Sequence, residues 1–131
     1  MKSIINPLAI ILTLNWVLYA QPKNCEPHSE NKKIEILLQK IGKLEGTVVR
    51  NGSEHTAQDA EKHLRFKLEE AKKSIFAPKE SDWTAQLFID RIATKSFLTG
   101  NEYTIKLKNG KTEKSGVWLK EELKKIETCG L

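Results

Sequence analysis

The sequence predicts an α+β fold: about four helices and a small antiparallel β-hairpin or sheet, packed as one compact domain over residues 32–131. Three observations carry this. Apolar residues recur at helical spacing in several separate stretches. One stretch alternates instead: Tyr103, Ile105 and Leu107 are interleaved with Thr104, Lys106 and Lys108, and Asn109-Gly110 follows as a two-residue turn signal. The chain has 131 residues, 39% of them hydrophobic and 30% charged, which is the size and balance of one globular unit.

In chain order, "ENKKIEILLQKIGKLEG" places Ile34, Leu37, Leu38, Ile41 and Leu44 on one stripe, so it reads as a helix. Gly42 weakens its last turn and Gly46 can end it. "TVVRNG" is short and β-branched and breaks at Asn51-Gly52, which gives a strand or extended segment followed by a turn. Thr56 and Asp59 then resemble a capping box, with Asp in place of the usual Glu or Gln. From there Ala57, Ala60, Leu64, Leu68, Ala71 and Ile75 form the buried stripe of a helix of about 20 residues. Pro78 breaks it. Ser81 is the expected cap of the next helix, "DWTAQLFIDRIATKS", which buries Trp83, Leu87, Phe88 or Ile89, and Ile92. After the hairpin, "LKEELKKIE" sets Leu119, Leu123 and Ile126 on one side of a short last helix.

Residues 1–20 read as a secretory signal peptide: Lys2, a mostly apolar run, then Ala20 at the cut. Asn6, Pro7, Thr13 and Asn15 interrupt the run, and Leu18 is large for its place. A membrane anchor is the rival reading, but it needs about 20 largely apolar residues. Lipid attachment at Cys25 is a further alternative, though "PKNC" lacks the usual small pair before the cysteine. Cleavage would start the mature chain at Gln21, lower the net charge from +5 to +4 by removing Lys2, and leave residues 21–31 as a flexible lead-in that contains His28. No membrane span is expected after cleavage. The expected location is therefore exported, periplasmic or secreted from a bacterium. Cys25 and Cys129, the two cysteines of the chain, are then candidates for a disulfide in an oxidising compartment. Two thiols on separate chain ends are the alternative.

The mild positive charge is interspersed with acid, and no aromatic stacking motif lies among the basic residues, so nucleic acid is not an expected partner. Lys106, Lys108, Lys111 and Lys114 make one face of the hairpin basic. That face could meet an anionic ligand or an envelope protein, or it could simply protect exposed strands from edge pairing. Asn51-Gly52-Ser53 matches a glycosylation acceptor, which in a bacterial chain is a turn.

"RNGSEHTAQDAEKHLRFKL" holds the most particular chemistry: His55, Asp59 and His63 at spacings of four. Were all of it helical, the two histidines would stand about 12 Å apart along the axis, too far to share an ion. No metal site and no cofactor are expected. His63 beside the apolar stripe could act as a general base, or it could cover the core edge with one hydrogen-bond partner. There is no nucleophile elbow and no phosphate-cradling loop.

Three phrases taken together, "RNGSEHTAQDAEKHLRFKL", "FIDRIATKSFLTGNEYTIKLKNGK" and "GVWL", resemble the YfeK-like family of small exported bacterial proteins. The shared positions are Arg50, Asn51, Gly52, His55, Thr56, Ala57, His63, Leu64, Lys67, Ser96, Thr99, Gly100 and Tyr103, within residues 32–126. Gly46 stands where members often have a cysteine, and Val48 and Val49 where an aromatic is usual, so no disulfide pattern carries over. The resemblance implies export and a shared fold, and no reaction. It also groups Arg50, Asn51, His55, Asp59, His63, Ser96 and Tyr103 as a candidate polar cluster. If the turn at 50–55 packs on the loop at 96–103, several of these line one cleft. Alternatively they are hydrogen-bond partners that lock loop to helix. The leading functional expectation is a non-enzymatic binding or interaction domain. The alternatives are a small hydrolase or transferase using His63 or His55, and a purely structural secreted domain.

Overall fold

Ser29 starts the first helix. Its side chain accepts the Lys32 N–H at 3.3 Å, and α1 (Glu30–Gly42) turns Ile34, Leu37, Leu38 and Ile41 into the core. The computed structural model describes residues 26–129; the expected signal peptide, Gln21 and Cys25 lie outside them. After α1 come β1 (Gly46–Arg50), β2 (Ser53–Thr56), α2 (Ala57–Lys73), α3 (Ala85–Phe88), β3 (Thr104–Leu107), β4 (Thr112–Lys114) and α4 (Ser115–Glu127). The four strands form one antiparallel sheet in the order β2-β1-β3-β4. The architecture is α+β, with helices gathered on one face of an antiparallel sheet.

The inner face of the sheet presents Val48 and Ile105, which are register partners and both buried. The outer face carries Thr47, Glu54 and Lys106, which bond to one another in the open. Helix α2 lies on the inner face and packs against α1, and α4 closes the far side. Leu37, Phe88, Ile89, Ile92 and Leu119 form the centre of the core.

Several boundaries differ from the sequence expectation. "SEHT" is a strand, which makes the first hairpin explicit: Asn51 and Gly52 both take positive φ, 49° and 80°, the mirror-image turn that suits the twist of paired strands. The burial of "SEHT" does not alternate clearly, so periodicity could not reveal it. Helix α2 ends at Lys73, and Ile75 is 91% exposed instead of extending the buried stripe. Thr84 caps α3, accepting the Leu87 N–H at 3.1 Å, while Ser81 sits in a short 3₁₀ turn and bonds Asp82. Beyond Phe88 the helix widens into a π segment, Ile89–Ala93, where Thr94 Oγ1 reaches back to the Ile89 carbonyl at 2.6 Å. That wider turn buries both Phe88 and Ile89, so the choice between them does not arise. Helix α4 starts at Ser115, four residues earlier than its leucine spacing indicates, and Gly116 in its first turn seats closely against Thr94.

Candidate functional site

The first hairpin builds one wall of the candidate site. Val48 and Arg50 share the inner face of β1, and His55 on β2 stands opposite Val48. Helix α2 lays Ala60, His63 and Leu64 across them, and Tyr103, just before β3, closes the end. Thr56 fixes where α2 starts: it ends β2 and its Oγ1 accepts the Asp59 N–H at 3.1 Å. The slot enclosed by Arg50, His55, His63 and Tyr103 has a volume of about 10 Å³, roughly the room for one water molecule.

Lys67, one turn after His63, is 5% exposed. Its Nζ donates to the carbonyls of Ile92 at 2.7 Å and Lys95 at 2.8 Å, and to Tyr103 Oη at 3.0 Å. These carbonyls belong to the end of the α3–π helix and the residues just after it, where the last C=O groups have no partner within the helix. Lys67 therefore caps one helix from another, with its positive charge at the negative end of the helix dipole. Ser115 does the same for Ala93, at 3.0 Å. The rings of Phe97 and Tyr103 flank the ammonium at 4.1 and 4.9 Å from their centroids, in cation–π range.

The chain of contacts continues from Lys67 through Tyr103 to His63, whose Nε2 lies 3.5 Å from Tyr103 Oη. The Tyr103 hydroxyl accepts from Lys67, and its proton is available to His63 Nε2 when the histidine carries its own proton on Nδ1. Burial, then Arg50, Lys67 and His55, hold His63 down to about 4. Burial and Arg50 hold Lys67 down to about 8. Burial pushes Tyr103 up, against the opposing pull of Arg50. At neutral pH the site therefore holds a neutral imidazole, a neutral phenol and a cationic lysine.

Beside the slot, the Asn51 turn is clasped to the loop after the π segment. Thr99 Oγ1 donates to Asn51 Oδ1 at 2.7 Å, and Asn51 Nδ2 to Ser96 Oγ at 3.5 Å. Ser96 Oγ also receives the backbone N–H groups of Leu98 and Thr99. Gly100, at φ 72°, closes the loop by donating to the Ser96 carbonyl.

Of the residues expected from sequence, Arg50, His55, His63 and Tyr103 thus meet at the slot, and Asn51 and Ser96 meet in the clasp. Asp59 is exposed and outside both. It supplies only its backbone N–H to the cap; the reciprocal side-chain bond of a capping box is absent among the described hydrogen bonds. No group of three or more His, Cys, Asp or Glu side chains among the described residues is placed to hold a metal ion. The basic hairpin face is largely compensated. Lys106 pairs with Glu54 at 2.7 Å, Lys114 with Glu102 at 2.7 Å, and Lys111 stands 3.9 Å from Glu113, while Lys108 is tied to the fold through its backbone bond to Glu45. Lys67, one of the shared positions, is the site residue that the sequence reading left out of the polar cluster. The signal was present: it falls among Ala60, Leu64, Leu68 and Ala71 on the buried stripe, a lysine where an apolar residue belongs.

No helix among the described residues is long and apolar enough to cross a membrane. No solved structure matches the chain. The chain is 33% identical over 103 residues to "Uncharacterized protein YfeK" of Salmonella typhimurium, covering 78% of this chain and 75% of that protein. Residues 28–127 match the family described as "Family of unknown function (DUF5329)". The chain belongs to this family, and with it to the YfeK-like proteins that its motifs resemble.

Proposed function

We propose that the protein is an exported, non-enzymatic binding domain whose slot takes a single anionic oxygen group, such as a carboxylate on an envelope partner. The observation that carries this reading is the composition of the slot. Arg50, His55, His63 and Tyr103 line it beside apolar Ile41, Val48, Ala60, Leu64 and Ile105, with no acidic side chain, and the Arg50 guanidinium makes no hydrogen bond or ion pair among the described residues. An unpaired guanidinium in a lining without a carboxylate favours an anion. The same composition weighs against acid–base catalysis. His63 held down to about 4 is a weak base at neutral pH, and no carboxylate orients it.

The test is a titration of the purified protein with acetate and with inorganic phosphate, followed through the imidazole resonances of His55 and His63. Saturable shifts that vanish in Arg50→Gln are expected. Shifts that are absent, or equal in the variant, would remove the reading. A histidine-dependent turnover of ester or phosphate substrates would install the enzyme alternative.

Export belongs to the same proposal: a signal peptide at 1–20, a mature chain from Gln21, and a bridge between Cys25 and Cys129. Cys25 lies outside the described residues, and no free cysteine is present among them. Such a bridge would close a loop of about 105 residues and contribute on the order of 4 to 5 kcal/mol, less strain. Intact mass of the exported protein checks the start, and a thiol count under denaturing, non-reducing conditions checks the bridge.

A further inference from the structure

Two exposed aromatic side chains, Phe76 and Phe97, line a second concavity that shares no lining residue with the Arg50 slot. This groove, of about 450 Å³, lies between the end of α2, the 74–83 connection, the π segment and Phe97. Its walls are Phe76, Ala77, Pro78, Ile92 and Phe97, and Trp83 is also part of the lining. Phe76 is 87% exposed and Phe97 60%. Soluble domains rarely leave contiguous aromatic surface open without a use for it. The volume falls within the range of small-molecule sites, roughly 300 to 1,000 Å³.

Two polar groups of the groove lack partners. The Arg91 side chain makes no hydrogen bond or ion pair among the described residues, although it lines the groove beside apolar walls. Trp83 is 2% exposed and its Nε1 donates to nothing in the chain. A buried indole N–H ordinarily finds an acceptor. The other charge in the lining, Glu70, is already paired with Lys73 at 3.0 Å. The groove thus combines apolar walls with one uncommitted cation. None of its lining residues belongs to a strand, so an extended peptide would find no ladder to join.

We propose that this groove binds a free acyl carboxylate: a flexible apolar chain along Phe76, Pro78 and Phe97, its carboxylate on Arg91. The apolar chain supplies the burial, and the charged end sets the orientation.

The experiment is calorimetric titration of the purified protein with decanoate and with decanol, its uncharged counterpart. Decanoate should bind saturably, one per chain, and about tenfold or more tighter than decanol, since a charged hydrogen-bonded contact contributes at least that much. Arg91→Gln should bring decanoate to the level of decanol and leave decanol unchanged. Arg91 is exposed and unpaired, so its variant should fold as the parent does. Ala77→Trp, which fills the groove, should weaken both ligands together. Arg50→Gln should change neither, which separates this site from the slot. Decanoate that does not saturate, or that binds equally well to the Arg91 variant, would overturn the proposal. So would loss of binding on changing Arg50 but not Arg91.

Discussion

Lys67 touches Tyr103 of the slot and Phe97 of the groove, and the two sites use polar groups differently. At and beside the slot, most polar side chains bond one another and Arg50 alone is left open: Lys67 holds two carbonyls and Tyr103, Tyr103 lies against His63, and Asn51 is clasped by Ser96 and Thr99. At the groove, aromatic rings stand open, and the indole of Trp83 and the guanidinium of Arg91 are unsatisfied. The recognisable motif residues therefore do mainly structural work around a cavity of water size. The groove includes none of the shared motif positions, yet it has the larger volume and an unpaired cation of its own. A sequence motif marks residues whose identity the fold constrains, and such constraint comes from internal hydrogen bonding as readily as from a ligand.

The sharpest way to break this contrast is Lys67→Met. If Lys67 is a cross-helix cap, the variant leaves the carbonyls of Ile92 and Lys95 and the Tyr103 hydroxyl short of a donor inside the protein. The expected loss is about 2 to 4 kcal/mol in urea denaturation, the range for stranding buried acceptors together with removing a charged hydrogen bond. An unchanged midpoint would show that the lysine is held for something other than the fold.

Thr56→Ala should cost about 0.5 to 2 kcal/mol, the usual loss for an N-cap. Here it also tests the slot, because the cap fixes the turn that joins His55 on β2 to His63 on α2. A loss of stability with unaltered imidazole resonances would mean that the helix start does not position the histidines.

The pH dependence of His63 is a smaller effect. The unfolded histidine gains its proton near pH 6.5, whereas the folded one resists until about 4. Between these values the unfolded state binds more protons, so stability is fully present above pH 6.5 and falls as the pH drops toward 4. His63→Gln should remove this slope, a difference on the order of 1 kcal/mol between pH 7 and pH 4.5 once partial exposure of the ring is discounted. A wild-type curve parallel to that of the variant would place His63 in water.

Much of the fold was legible. Ile34, Leu37, Leu38 and Ile41 mark α1 by spacing, Thr56 marks the start of α2, and Asn109-Gly110 marks the second hairpin. What was not legible depends on tertiary context. "SEHT" is a strand because β1 pairs with it, and the widened turn at Ile89–Ala93 has no local signature. Ile75 extends the apolar period but lies beyond the last residue that another helix covers. In the site, the proximity of Arg50, His55 and His63 was inferable from a turn followed by a cap. The capping role of Lys67 needed the end of the α3–π helix to be brought beside α2, which spacing within a single helix does not specify.

The smallest expected effect concerns the outer face of the sheet. Lys106 and Glu54 make a 2.7 Å pair there, and Thr47 also donates to Glu54 at 3.0 Å. Both charged side chains are 49% exposed. An exposed ion pair is screened by water and salt and must order two long side chains, so its net contribution is about 0.2 to 1 kcal/mol. Lys106→Ala should therefore shift the unfolding midpoint slightly at low salt and not at all at 1 M salt, where the Debye length falls to about 3 Å. The substitution also separates two uses of the hairpin lysines. If they were an anion-binding face, Lys106→Ala would weaken the phosphate and acetate titrations that report on the slot's histidines. If the lysines are compensated as the pairs with Glu54, Glu102 and Glu113 indicate, those titrations should stay unchanged while Arg50→Gln abolishes them.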